Sequence, residues 1–341
     1  MFVNTQLNTK LINYWLLTLF FLVFLMIVVG GLTRLTDSGL SITKWELIKG
    51  ILPPLNNQQW LNYFNEYKKI PEFTLVNSNI TLAEFKIIFY WEYAHRLLGR
   101  LIGIVAIFPL LFFIYKYKNY NFNLKKFFLI PILISFQGLI GWYMVESGLV
   151  DRVDVSHFRL AAHLLLAFII LSLIYWFILD LNKIKTFENK ISNTFLSTIL
   201  CLLGLQILFG AFLAGMDGGL IYQTWPDMNG SFFPDDTNIY FMFTSDTLNN
   251  PSIVQFIHRT IAYVIIVLII YLNYIYFKNN LPLVYILVFD FFICLQIFLG
   301  IITLISGVPI SYASLHQIGS IFVLISFLLI FYKNLKLTNS F

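Results

Sequence analysis

Five histidines stand out in a chain otherwise built for an apolar setting: His95, His157, His163, His258 and His316. Four of them sit near the same end of separate hydrophobic runs. A lone histidine inside a bilayer is most simply a hydrogen-bonded packing residue. Four at one depth point to function, because ionisable side chains in lipid are costly and rarely retained without a use. Neutral imidazole donates a lone pair to iron, and two histidines from facing helices supply both axial positions of a bis-histidine heme. Zinc or copper fits less well, since either gathers three or four ligands at one point and no cysteine or shared carboxylate accompanies the pairs. His157 lies six residues before His163, about 240° away around a helix. It has no counterpart elsewhere and reads as an interfacial polar residue.

Around these histidines lie cations suited to heme carboxylates. Arg34, Arg96, Arg100, Arg159 and Arg259 fall near the same membrane boundary, and guanidinium binds a propionate in bidentate fashion. Interfacial snorkelling is the plain alternative. Glu92 precedes His95 by three residues and shares its helix face. As a carboxylate beside a heme it could exchange a proton, orient water or stabilise developing charge. It could equally pair with Arg96 one turn on.

The elements that carry these residues are membrane spans. Of 341 residues, 59% are hydrophobic and only 11% charged, against roughly 25% charged in soluble domains. Eight runs reach the ~20 residues a spanning helix needs: about 14–33, 87–115, 127–147, 160–180, 195–215, 255–277, 281–305 and 314–332. The first run is long enough to span and leads directly into a motif-rich segment, so no cleavable leader is expected. Lys10, then Lys116, Lys118, Lys125 and Lys126, then Lys183, Lys185 and Lys190, then Lys278, and finally Lys333 and Lys336 mark alternate links. They predict cytoplasmic termini by the positive-inside rule. The link 216–254 carries aspartates and no Lys or Arg, as expected of the outer side. The first outer loop, about 34–86, promises a short amphipathic helix near 57–69 and irregular chain over 70–81. The net charge of +5 forms no continuous basic stripe, which excludes nucleic acid as a partner. Cys201 and Cys294 stand alone in apolar runs and read as small buried residues, without a heme-attachment or zinc motif.

Four spans and four spans repeat one unit. Asp37-Ser38-Gly39-Leu40 after the first span matches Asp217-Gly218-Gly219-Leu220 after the fifth. Glu92…His95-Arg96 matches Gln255…His258-Arg259, Gln137…Gly141 matches Gln296…Gly300, and His163 matches His316. The expected fold is therefore all-α: two tandem four-helix bundles, about 14–180 and 195–332. An even span count gives the copies one orientation and a pseudo-two-fold axis along the membrane normal. Glu92 is the carboxylate that the duplication did not keep, since Gln255 stands opposite.

The stretches Gly30–Ser41, Glu92-Tyr93-Ala94-His95-Arg96, Arg159-Leu160-Ala161-Ala162-His163, Ala214–Gly219, His258-Arg259 and Leu315-His316-Gln317, in this order, resemble the heme A synthase family in its proteobacterial and mitochondrial form. The resemblance covers about residues 14–332. It implies an inner-membrane oxidoreductase of heme biosynthesis. In that family heme O is oxidised at the ring-position-8 methyl by successive hydroxylations, and loss of water leaves a formyl group. It further implies that His258 and His316 ligate a heme b cofactor, that His95 and His163 hold the iron of the substrate heme O, and that Glu92 acts on it. A heme O-producing farnesyltransferase is the neighbour expected on pathway grounds. No electron donor or acceptor is named by the sequence, and self-association is left open. Some relatives carry an outer-loop cysteine pair; this chain has none there. A b-type cytochrome passing electrons shares the four histidines but has no need of the Glu92 asymmetry. A heme exporter or chaperone would present a tryptophan-rich outer motif, whereas Trp45, Trp60 and Trp225 are dispersed.

Overall fold

The computed structural model describes residues 2–46, 48–117, 124–150, 152–188 and 190–335, with side chains from residue 9 onward. Lys118 and Lys336, two of the cations expected on the inner links, lie outside the described residues.

The described chain is helical, with no β-strand among its elements. Its helices are α1 (Phe2–Leu35), α2 (Asn57–Tyr67), α3 (Pro71–Leu75), α4 (Leu82–Lys116), α5 (Leu129–Glu146), α6 (His157–Leu181), α7 (Asn193–Gly215), α8 (Pro251–Lys278), α9 (Leu283–Ile305) and α10 (Ile310–Asn334). Among the described residues eight segments are long and apolar enough to cross a bilayer, and they match the eight runs expected from sequence. Buried core residues and large exposed ones such as Phe108, Ile132, Val267 and Phe298 occur on the same spans, as in a protein whose outer surface meets lipid.

Several boundaries extend past the apolar runs because capping residues hold them. Thr81 and Glu84 form a reciprocal capping box that starts α4 five residues before its hydrophobic stretch. Asn250 accepts from the Ile253 amide, and Pro251 occupies the first turn of α8, where its missing N–H costs nothing. At roughly 52 Å, α4 outreaches the ~30 Å hydrocarbon layer. Its first turns therefore stand clear of the membrane and present Phe85 and Phe89 to α2. The α2 face made by Trp60, Phe64 and Tyr67 packs there with Leu40, Ile42, Ile70 and Val155. This closes the outer loop into a small aromatic core.

Two expectations are corrected. The stretch 70–81 is not wholly irregular: α3 forms because Pro71 presets the first turn and Glu72 follows it. Cys201 and Cys294 are free thiols on exposed faces of α7 and α9 rather than in the core. In a span an exposed face meets lipid, so a small apolar residue is at no disadvantage there.

The chain divides into two compact units, Thr18–Ile170 and Met1–Leu17 with Leu171–Phe341. The first holds His95, His163, Glu92 and the outer-loop core. The second holds His258 and His316 and a core running through Leu196, Ile199, Leu272, Tyr276, Phe289 and Phe327.

Candidate functional site

Each of the four repeat histidines packs against a glycine of a neighbouring span. A methyl group at Gly141 would stand 2.8 Å from His163 Cε1, and one at Gly300 would stand 2.8 Å from His316 Cε1. At Gly210 it would come within 3.2 Å of His258 Cε1, and at Gly30 within 3.1 Å of His95 Nε2. The same device thus recurs on α1/α4, α5/α6, α7/α8 and α9/α10. It brings imidazole rings close to a neighbouring backbone in spans where bulky side chains would keep helices apart.

In the unit Thr18–Ile170, the rings of His95 and His163 face each other with centroids 6.4 Å apart and planes 59° apart. Two imidazole nitrogens bound to one metal at ~2 Å each place the ring centroids roughly 6 Å apart. The separation therefore suits a shared iron. In the other unit, Gln206 Nε2 lies 3.2 Å from His258 Nε2, and Gln296 Nε2 lies 3.2 Å from His316 Nδ1. His258 Nδ1 is buried without a hydrogen-bond partner, which leaves one nitrogen of that ring available to a ligand. No three His, Cys, Asp or Glu side chains among the described residues gather at a point that would hold a bare metal ion. The donor set present is paired imidazoles in apolar surroundings, which fits heme.

Glu92 is the best-connected carboxylate near the histidines. Its Oε2 accepts from Ser41 Oγ at 2.6 Å and from the Ile42 amide at 2.8 Å, and Arg96 Nη2 lies 2.5 Å from its Oε1. Arg96 also donates to the Ile42 and Lys44 carbonyls. Glu92 and Arg96 together clamp the chain that leaves α1 onto α4. Both readings of Glu92 given by its spacing have a footing here: it is the partner of Arg96 and it stands one turn from His95. The second unit builds the same clamp without a carboxylate. Gln255 Nε2 donates to the Tyr222 carbonyl, and Arg259 donates to the Tyr222 and Asp227 carbonyls. Asp37 and Asp217 both take left-handed backbone, at φ 47° and 50°, so the two loops leave their helices by the same turn.

The remaining cations are placed as follows. Arg34 pairs with Asp37 at 2.7 Å. Arg100 donates to the Glu46 carbonyl at 2.9 Å. Arg159 donates to the Tyr143 carbonyl at 2.6 Å and stacks 3.6 Å over the Tyr143 ring. His157 begins α6, buried, with its ring 4.1 Å from that of Phe158.

Two features escape a reading of residue types alone. One is the glutamine contact to three of the histidine rings, whose trace in sequence is Gln-x-x-x-Gly in three spans. The other is Glu72, buried on α3. It accepts from the Tyr67 hydroxyl at 3.1 Å and from Asn77 Nδ2 at 3.2 Å. Burial pushes its carboxyl up to about 7, so it is largely neutral below that pH.

Comparison with known proteins agrees with the architecture. The sequence model of a family described as cytochrome oxidase assembly protein matches residues 13–328. A protein of Pelagibacter ubique named heme A synthase is 60% identical over 334 residues, spanning 98% of this chain and 99% of the relative. Heme A synthases of Ehrlichia canis and Flavobacterium johnsoniae are 42% and 39% identical, over 98% and 93% of this chain and 97% and 96% of their own lengths.

Proposed function

Because this chain belongs to the heme A synthase family of cytochrome oxidase assembly proteins, we propose that it converts heme O to heme A in the bacterial inner membrane, with heme b as resident cofactor. The observation that carries the reading is the fourfold histidine–glycine packing, with His95 and His163 set 6.4 Å apart. Paired imidazoles at that spacing suit a shared iron, and with no third His, Cys, Asp or Glu gathered beside them among the described residues they suit a porphyrin iron better than a bare ion.

The reaction oxidises the ring-position-8 methyl of heme O. Each of two hydroxylations exchanges a C–H bond for C–OH, taking oxygen from water and releasing two protons and two electrons, the electrons leaving to the electron carrier; the resulting geminal diol loses water to leave the formyl group. His95 and His163 hold the substrate iron. His258 and His316 are the residues that would hold heme b, which when bound supplies a one-electron redox centre. Glu92, close to His95 on the same helix, exchanges protons or stabilises charge as the methyl carbon is oxidised. Its anchoring by Ser41 and Ile42 keeps the carboxylate in one place, which is what a positioned acid–base group requires. Arg34, Arg96, Arg100 and Arg159 in the unit Thr18–Ile170, and Arg259 in the other, are the candidates for propionate contact. The termini lie in the cytoplasm, so the four histidines sit toward the outer face. The partners expected are heme O, the farnesyltransferase that makes it, and an electron carrier.

The test is a chromatogram of hemes extracted after co-expression with a heme O-producing farnesyltransferase. Heme A should appear only when this chain is present. A preparation that yields heme b alone, with heme O untouched, would leave an electron-carrying b-type cytochrome as the better reading.

A further inference from the structure

Asp290 is a carboxyl inside a span, and methyl oxidation gives it no role. It lies on α9 and is tied across the seam to α8, where Asn273 Nδ2 donates to its Oδ1 and to the Ile269 carbonyl, both at 3.1 Å. Among the described residues its Oδ2 has no hydrogen-bond partner. Both residues sit where core and lipid-facing surfaces meet. One turn from Asn273, Ile269 and Tyr276 are buried while Ile270 and Phe277 are exposed. One turn from Asp290, Ile286 and Ile293 are buried while Leu287 and Cys294 are exposed. The half-buried pair therefore opens toward the bilayer. Tyr276 shares the face of Asn273 and lies within reach of the Asp290 charge. Its side chain is fully buried, and its hydroxyl has no hydrogen-bond partner.

Packing of the seam does not require this pair. The repeat sets Leu110 opposite Asn273 and Pro131 opposite Asp290. There the seam of α4 and α5 is an open furrow of about 490 Å³, lined by apolar side chains apart from Ser135. A carboxyl in lipid is costly and marks function by default, and unpaired polar atoms there are costlier still. A free carboxyl oxygen beside an unpaired phenol hydroxyl calls for a partner with oxygens of its own that arrives through the bilayer.

We propose that Asp290 and Tyr276, with Asn273 holding Asp290 in place, form a site for the headgroup of a membrane-soluble quinone, the electron acceptor of this protein. The proposal rests on the reading of His258 and His316 as heme b ligands. Asp290 belongs to the same unit, six residues from Gln296, which touches the His316 ring; that is about 9 Å along the helix. A quinone travels in lipid and presents two carbonyl oxygens. Two electrons, received singly from the bound heme b, and two protons convert it to the quinol, each C=O becoming C–OH. The Tyr276 hydroxyl donates to one oxygen and orients the ring. Asp290 passes protons to the quinone and is reprotonated from the Lys278 end of the spans.

The experiment uses the full-length protein, purified with its heme and placed in phosphatidylcholine nanodiscs, with decylubiquinone as probe. Dicyclohexylcarbodiimide, a lipid-soluble reagent for carboxyls, should modify Asp290, and decylubiquinone should protect it, read as the mass of the α9 peptide. Tyr276→Phe should raise the protecting concentration by about 2- to 10-fold. After reduction with dithionite and removal of the excess, decylubiquinone should restore the oxidised heme spectrum. Asp290→Asn should slow that step by about tenfold or more. Its rate with ferricyanide, which needs no proton, should stay at the wild-type value, and Asp290→Glu should recover the quinone rate. A bond that only joins α8 to α9 would move both rates or neither. Asp290 that stays unmodified, or that reacts equally fast with decylubiquinone present, would overturn the proposal. So would an Asp290→Asn protein with the wild-type quinone rate. Where Asp290→Asn does not fold, protection of the wild-type protein decides. Protein that purifies without heme b would instead overturn the ligand reading, while the protection measurement, which needs no heme, still decides the quinone site.

Discussion

Replacing Glu92 by glutamine separates an anchoring role from a chemical one. The carboxylate is buried, receives two hydrogen bonds from the segment after α1, and lies 2.5 Å from Arg96. Hydrogen bonds to a charged group are worth about 1.5–3 kcal/mol each, and breaking a buried ion pair by removing one partner costs about 3–5 kcal/mol. Glutamine keeps an acceptor for Ser41 and Ile42, and Arg96 keeps its two carbonyls. The second unit shows that a neutral amide at this position can hold such a loop. The expected loss is therefore near the low end, about 2 kcal/mol. In hydrogen exchange that is roughly a 30-fold acceleration at the Ile42 amide, with heme b content little changed. Ser41→Ala removes one bond and leaves the charge, so exchange at Ile42 should rise by about 10- to 150-fold with heme A yield near normal. If Glu92 also acts in methyl oxidation, Glu92→Gln should cut heme A by on the order of 100-fold, and heme O or a hydroxylated intermediate should accumulate. Normal heme A from a Glu92→Gln protein whose Ile42 amide exchanges faster would refute the catalytic role. An unchanged exchange rate would refute the clamp.

Three other outcomes are expected. His258→Ala or His316→Ala should strip most b-type absorbance from purified protein, while His95→Ala or His163→Ala should leave more of it; the reverse pattern would exchange the roles of the two units. Reporter fusions after residues 120, 187 and 279 should read as cytoplasmic and one near 235 as external, and inverted signals would move the histidines to the inner face. Glu72 makes the outer loop pH-dependent. Its carboxyl titrates near 7 in the fold against an ordinary value near 4.5, so its stabilising effect is complete below about pH 4.5 and is lost as pH rises through 7. Limited proteolysis within 57–77 should therefore run faster at pH 8.5 than at pH 5.5, and Glu72→Gln should abolish the difference; a wild-type loop cut faster at the lower pH would contradict this.

The eight spans, the duplication and the four histidines are legible in the chain because each rests on local composition or spacing. Twenty apolar residues must lie in lipid whatever surrounds them, and a repeat is visible wherever its parts recur in order. Helix ends were less so: the caps at Thr81 and Asn250 start α4 and α8 ahead of the apolar runs that begin near 87 and 255. What only the tertiary structure decided is which face of each span meets which neighbour. A soluble helix declares its buried side by polarity, but a span is apolar on the lipid side and the core side alike. Nothing in the sequence around Cys201 or Cys294 therefore says that they face outward. The same ambiguity hid the contacts of Gln137, Gln206 and Gln296, whose histidines lie 26, 52 and 20 residues away. It also hid the hold of Ser41 and Ile42 on Glu92, 51 and 50 residues distant. Spacing along one helix put Glu92 beside Arg96 and His95. Only the return of the loop after α1 over the top of α4 made that carboxylate a junction.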